Sequence, residues 1–350
     1  MLREAEVLPA GPGSVAAFEY AIAVADAHRD EALGFEARTA AFWPLYRARR
    51  ADTLAVVYAW CLAYLDRHPS SDSRDTLWIY RIVVDLLPRF SAVPRGQLEA
   101  TWQDMFDRYR AAGRSARSPW TQRRRLAHDL GDADLAAHAA AEYPRCGRDD
   151  LSDPTTTERV FDVQHAAFCR DDAATVALAE RILGGASGDG YTDGYSLVHA
   201  AAAVLPALVR LGRAADGRRL LDRAARVVRR QPEFLSGADA HVVFLTVTGD
   251  PEAAVAHFNR NFTPAATRAG DVGELPWLRA AMLLTRDLVR HGRRFLLHVP
   301  AGFVPAAPGR RCSAGELRDW LEAELPRLSR LADARNGTSY QTDRLAELAG

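Results

Sequence analysis

Lysine is absent, and all 45 basic side chains other than histidine are arginine. That excludes every site needing a primary amine: a Walker A loop, a kinase ATP lysine, a pyridoxal Schiff base and a Ser-Lys dyad. Cysteine is scarce. Cys61, Cys146, Cys169 and Cys312 form no CxxC pair, which fits reduced thiols in the cytosol. Neither charge is in excess, with 45 basic residues against 45 acidic. A general nucleic-acid binder shows a basic surplus, so that class is disfavoured. No run of about eighteen apolar residues suggests a membrane span. No basic-then-apolar leader stands at the N-terminus, so the expected location is cytoplasmic. HExxH and GxSxG are missing. His28-Arg29-Asp30 copies a kinase tripeptide without its asparagine and DFG context. An enzyme is therefore not expected, and no catalytic residue, cofactor or metal site is assigned.

What is present is a foldable, patterned chain. Apolar residues make up 48%, which excludes disorder. A length of 350 residues is too great for one compact core and suits a solenoid or two domains. The organising stretch is Leu211 to Pro232. Gly212 makes a turn, and Leu220, Leu221, Ala224, Val227 and Val228 form one apolar face at the helical period. Arg219, Arg223, Arg226 and Arg230 form a second, charged stripe.

The arrangement recurs. Turn positions at Gly131, Cys169, Gly212 and Gly249 lie 38, 43 and 37 residues apart. Five residues after each turn stand Ala136, Ala174, Gly217 and Ala254, all small, as a close helix crossing requires. Helix, turn, helix at this period signals a solenoid. These residues resemble the tetratricopeptide repeat family. Trp120, eleven residues before Gly131, falls where the family has tryptophan; Ala136, Ala174 and Ala254 match its alanine, and Phe258 its later aromatic. Pro144, Pro232 and Pro264 lie near unit ends. Arg123 and Arg124 depart from the pattern, standing where the family has leucine and glycine, and Gly185 to Gly194 is an added loop. The resemblance covers roughly residues 115–265 and implies an all-α, right-handed superhelix of antiparallel helical hairpins, an α-solenoid.

Three segments are expected: N-terminal helical hairpins as degenerate repeats over 1–113, the repeat block over 114–291, and a C-terminal extended arm and helix over 292–350. Pro206 should kink its helix or delay its start. Phe295 to Val299 reads as a short strand or an extended arm. Ser313 and Glu316 form a capping box, and Asn336-Gly337 a turn. The loop Asp189 to Gly194 lacks the ligands of a calcium loop and reads as a plain loop. His165, His199 and His241 sit at different offsets from their turns, so no shared metal is expected. Arg123 to Arg125 and Arg229-Arg230 read as ordinary solvated helix faces rather than phosphate-binding patches.

In the family, the concave face is lined by the first helix of each hairpin and holds a partner. Carried onto this sequence, that face includes Thr121, Arg125, His128 and Asp129, then Arg159, then His199 and Arg210, then Asp239. Arginine pairs with carboxylates in two-point fashion. The partner implied is another protein or peptide, acidic or held by its C-terminal carboxylate. The expected function is a protein-binding scaffold or regulator. Two alternatives stand beside it: a peptide- or small-ligand-sensing regulator that changes superhelix shape, and an enzyme in a helical repeat shell.

Overall fold

The computed structural model describes residues 2–8, 11–68, 74–183, 194–231, 235, 237–265, 271–300, 303 and 310–348. The loop 184–193, with its calcium-like stretch, and Pro232 lie outside the described residues, as does most of the proline-rich arm. The fold is all-α. The helices are α1 (Leu2–Glu6), α2 (Pro12–His28), α3 (Glu31–Arg47), α4 (Ala51–Arg67), α5 (Arg74–Leu86) and α6 (Arg95–Ala111). Then come α7 (Arg117–Leu130), α8 (Ala133–Glu142), α9 (Thr155–Phe168), α10 (Asp172–Leu183), α11 (Gly194–Arg210) and α12 (Ala214–Arg230). The last are α13 (Asp239–Val247), α14 (Pro251–Ala265), α15 (Leu275–Arg290), α16 (Ala314–Asn336) and α17 (Tyr340–Ala346). Most consecutive helices pack on one another, as in a helical repeat. No helix among the described residues is long and apolar enough to cross a membrane.

One turn design joins most hairpins. Arg29, Gly131, Arg170, Gly212 and Gly249 all have a left-handed backbone, with φ of 53°, 71°, 61°, 70° and 79°. The next residue in each case, Asp30, Asp132, Asp171, Arg213 or Asp250, donates its N–H to the carbonyl five residues back. This closes the helix C-terminus, whose last carbonyls otherwise lack partners. The four aspartates then accept the N–H three residues on, at 2.9–3.2 Å, and so cap the following helix.

This corrects the register of one unit. Its left-handed residue is Arg170, not Cys169, which keeps right-handed φ of −72°. The position five residues on is therefore Thr175, which is fully buried, while Ala174 is only half-buried. A left-handed arginine costs about 1–2 kcal/mol, and the two backbone bonds of the turn offset it. Ala136, Gly217 and Ala254 are buried as expected. Gly217 faces the next unit rather than its own hairpin, because a Cβ there would lie 2.4 Å from the Phe244 ring on α13. Arg29 and Gly34 place the same turn and small residue on α2 and α3. Replacing Ala254 by leucine should overpack its crossing and lower stability by about 1–3 kcal/mol. A denaturation midpoint unchanged from wild type would show that this crossing has spare room.

Two apolar clusters run through the chain. One gathers Ala5 to Leu151, the other Val160 to Ala332. They change over inside the segment read as one repeat block. α11 continues through Pro206. The apolar run after α15 is a strand, β1 (Leu296–His298), paired antiparallel with β2 (Arg311–Ser313) in the register Leu297 to Cys312. Ser313 and Glu316 form the expected capping box, and Gly337 ends α16 with φ of 69°.

The chain's end returns to its first half, a closure that no repeat period signals. Asn336 Nδ2 donates to the Asp129 carbonyl at 3.3 Å, and Thr338 Oγ1 to the Leu130 carbonyl at 2.9 Å. Arg335 Nη1 donates to the Pro88 and Phe90 carbonyls at 2.8 and 2.9 Å. Ser91 N–H donates to Asp271 at 2.7 Å, just before the 3-10 turn Val272–Glu274. Arg170 pairs with Glu347 of the final segment.

Candidate functional site

The returning segment forms one wall of a partly open cavity of about 470 Å³, within the range of small-ligand pockets. Its walls come from α7, α9, α11, the start of α13, the turns Leu87–Arg89 and Val272–Glu274, α15, and the end of α16 with α17. Seven arginines line it against three acids, Asp129, Asp239 and Glu274. Three of the seven pair with acids outside that trio. Arg210 holds Asp172 through two bonds at 2.6 and 2.8 Å, Arg170 pairs with Glu347, and Arg344 lies 3.6 Å from the same glutamate. The other four, Arg49, Arg89, Arg279 and Arg335, share the wall with the three acids.

Burial pushes two of those acids toward their neutral form. Asp129 lines the cavity and is open to its water. Loss of bulk solvent and repulsion from Asp85 lift its pKa to about 7, although Arg89, Arg125 and Arg335 pull it back. Burial likewise raises Asp239. Arg279 is pressed the other way, to about 10, by burial and then by Arg344. The cavity thus keeps a positive balance near neutrality, in a place where water screens charge poorly.

His128, Asp129, Arg210 and Asp239, four of the expected groove residues, line this cavity together. Arg125 and His199 form an adjoining layer. Arg125 Nη2 lies 2.6 Å from Asp85, its Nη1 donates to Tyr195 Oη at 3.4 Å, and it stacks on Phe161. Burial opposes its charge, but Asp85 holds its proton more firmly than usual. His199 packs on Tyr195 at 4.2 Å, and burial followed by Arg125's charge drives its pKa to about 3. It stays neutral at physiological pH. Thr121 and Arg159 are not on the cavity wall. Thr121 is buried and donates to the Arg117 carbonyl at 3.1 Å, which is a helix-packing role. Arg159 is half-buried on α9.

The reading of Arg123 to Arg125 as a solvated face is overturned. Successive helical residues point about 100° apart, and each arginine finds a ring. Arg123 covers Trp102 at 4.5 Å and Arg124 covers Tyr143 at 4.8 Å. Arg124 is buried and pairs with Asp162 at 2.9 Å. Arg123 and Arg124 both pack by their flat faces, as apolar side chains would. Arg229 and Arg230 are exposed as expected.

His165 contacts neither His199 nor His241, but it accepts or donates at 3.0 Å with His128, and Cys169 Sγ lies 3.8 Å from its other nitrogen. Among the described residues, no group of three histidine, cysteine or acidic side chains is arranged to hold a metal. Sequence reasoning missed Arg49, Arg89, Arg279 and Arg335. Arg49, Arg89 and Arg335 lie outside the repeat block, so no repeat offset could reach them. No protein-family model matches the chain, and no curated protein matches it.

Proposed function

We propose that this protein is a TPR-like helical-repeat regulator, acting in the cytoplasm, that takes an anionic ligand into the cavity narrowed by its C-terminal segment. Of the sequence readings, this is the ligand-sensing one. The observation that carries it is the arginine-rich cavity narrowed by the returning segment. A superhelix whose concave face lay open would suit an extended peptide and a scaffold role. Here the chain's own residues 335–348 cross between early and late helices, which leaves room for a compact group or a peptide's acidic end. Binding rather than catalysis is proposed because arginine dominates the wall. Its guanidinium keeps its proton at physiological pH and serves recognition, not proton transfer. A ligand bridging α15 and the early turns would stabilise the closed arrangement over an open one. That is how binding becomes a change of shape.

The test is calorimetric titration with a short glutamate-rich peptide bearing a free C-terminus. Binding should weaken steeply with salt. Arg279→Ala should weaken it tenfold or more, since a hydrogen bond to a charged group is worth roughly 1.5–3 kcal/mol. Arg219→Ala with Arg226→Ala, on the exposed stripe of α12, should leave it unchanged. Loss of binding in that control pair, with Arg279→Ala silent, would move the site to the outer face.

A further inference from the structure

Resting on that reading of the cavity, we propose that its corner formed by Arg49, Arg89 and Arg335 is a subsite for a tetrahedral dianion, the phosphoryl group of the ligand. Three facts converge here. First, the three guanidinium groups come from three separate segments: the turn after α3, the 3-10 turn before α6, and the end of α16. Arginines standing on three walls can together serve an anion with three acceptor oxygens, Arg335 through Nη2 because its Nε and Nη1 are bonded within the protein, whereas a carboxylate offers two oxygens in one plane.

Second, Arg89 has no hydrogen-bond or ion-pair partner among the described residues, although it is half-buried and lines the cavity. Its backbone is fixed on all sides. Arg335 Nη1 donates to the carbonyls just before and after it, at 2.8 and 2.9 Å. Gly273 packs so closely that a Cβ there would lie 2.9 Å from the Arg89 Cβ. A cation carried on so firmly placed a backbone, with its donors unused, is available to an incoming anion. Third, Arg49 and Arg89 are like charges placed side by side. Burial and then the Arg89 charge lower the Arg49 pKa, and Glu274 offsets them in part. A dianion between the two would remove their repulsion. Glu274, Asp129 and Asp271 are acids at this corner; Asp271 accepts from Ser91 N–H, and Asp129's raised pKa lessens its opposition to an anion near neutrality.

The source of the phosphoryl group is either a small phosphorylated metabolite or a phosphorylated peptide. Inorganic phosphate, a phosphoserine peptide and the same peptide with glutamate for phosphoserine separate the cases. Calorimetry on the full chain, with thermal unfolding alongside, is the measurement. Phosphate should bind and raise the unfolding temperature, and the phosphoserine peptide should bind at least tenfold tighter than its glutamate counterpart. Phosphopeptide binding much tighter than phosphate assigns a peptide source; comparable affinities assign a small molecule. Arg89→Gln should weaken phosphate tenfold or more, and Arg89→Lys should recover only part of it because the fork is lost. The control is Arg219→Ala. If the glutamate and phosphoserine peptides bind equally, the phosphoryl assignment is overturned while the anion cavity stands. If none of the three binds, both fall. Phosphate binding by a folded Arg89→Gln protein at wild-type affinity also overturns the subsite.

Discussion

Asp153→Ala should be the most destabilising single change in this protein outside the apolar core, at about 3–5 kcal/mol. Asp153 Oδ1 lies 2.7 Å from Arg81 Nη1, and both side chains are under a tenth exposed. Asp153 Oδ2 has no hydrogen-bond partner among the described residues, so Arg81 is this carboxylate's main compensation. Arg81 also stacks on Trp78 at 4.1 Å and cannot turn out to water without giving that up. Burial raises the Asp153 pKa even with Arg81 beside it, so desolvation is the larger influence on this carboxyl. Such a pair contributes little net stability as a pair. Removing one member, however, strands the other's charge in a poorly solvated place. Chemical denaturation should show the loss as a lower midpoint. The double variant Asp153→Ala with Arg81→Met should recover much of it, because no charge is then left buried. A single variant within about 0.5 kcal/mol of wild type, the range of an ordinary surface substitution, would mean water reaches Arg81.

Gly131→Ala should both destabilise the fold and detach the C-terminal segment. Gly131 has φ of 71°, where an alanine costs about 1–2 kcal/mol. A Cβ there would also lie 2.1 Å from the Tyr340 Cβ and 2.3 Å from its Cγ, at the start of α17. These atoms are next to the backbone, so no rotamer change relieves the clash and the segment itself must move. Gly212→Ala is the matched comparison, with φ of 70° and nothing within 4 Å of its Cβ. It should show the backbone cost alone. Overpacking adds about 1–3 kcal/mol at Gly131. Hydrogen exchange should report lost protection around residues 333–348 in the Gly131 variant and wild-type protection there in the Gly212 variant. The reason is the set of bonds that would break: Thr338 to the Leu130 carbonyl, Asn336 to the Asp129 carbonyl, and Gln341 and Thr342 N–H to Asp333 at 2.8 and 2.9 Å. Equal losses in the two variants, with the segment still protected, would show that Tyr340 yields easily.

By itself the sequence determined the local structure. The 3.6-residue apolar period made helices, Gly131, Gly212 and Gly249 marked where they turn, and Ser313 with Glu316 marked where α16 begins. These signals are short-range, written in residues within one or two turns of each other. A fourth turn was hidden because arginine, at Arg170, holds a conformation usually left to glycine. The aspartate after it, shared with Gly131-Asp132 and Gly249-Asp250, was the signal that could have corrected the register. Only the tertiary structure decided the site. Its corner joins Arg49 and Arg89 from the first hundred residues to Glu274 and Arg335 from the last, and the helical period within each segment carries no information about which distant segment it meets. Closure depends on side chains reaching backbone carbonyls, as Arg335 does at Pro88 and Phe90. A backbone carbonyl is present at every residue, so such a bond leaves no trace in the sequence of the partner it binds.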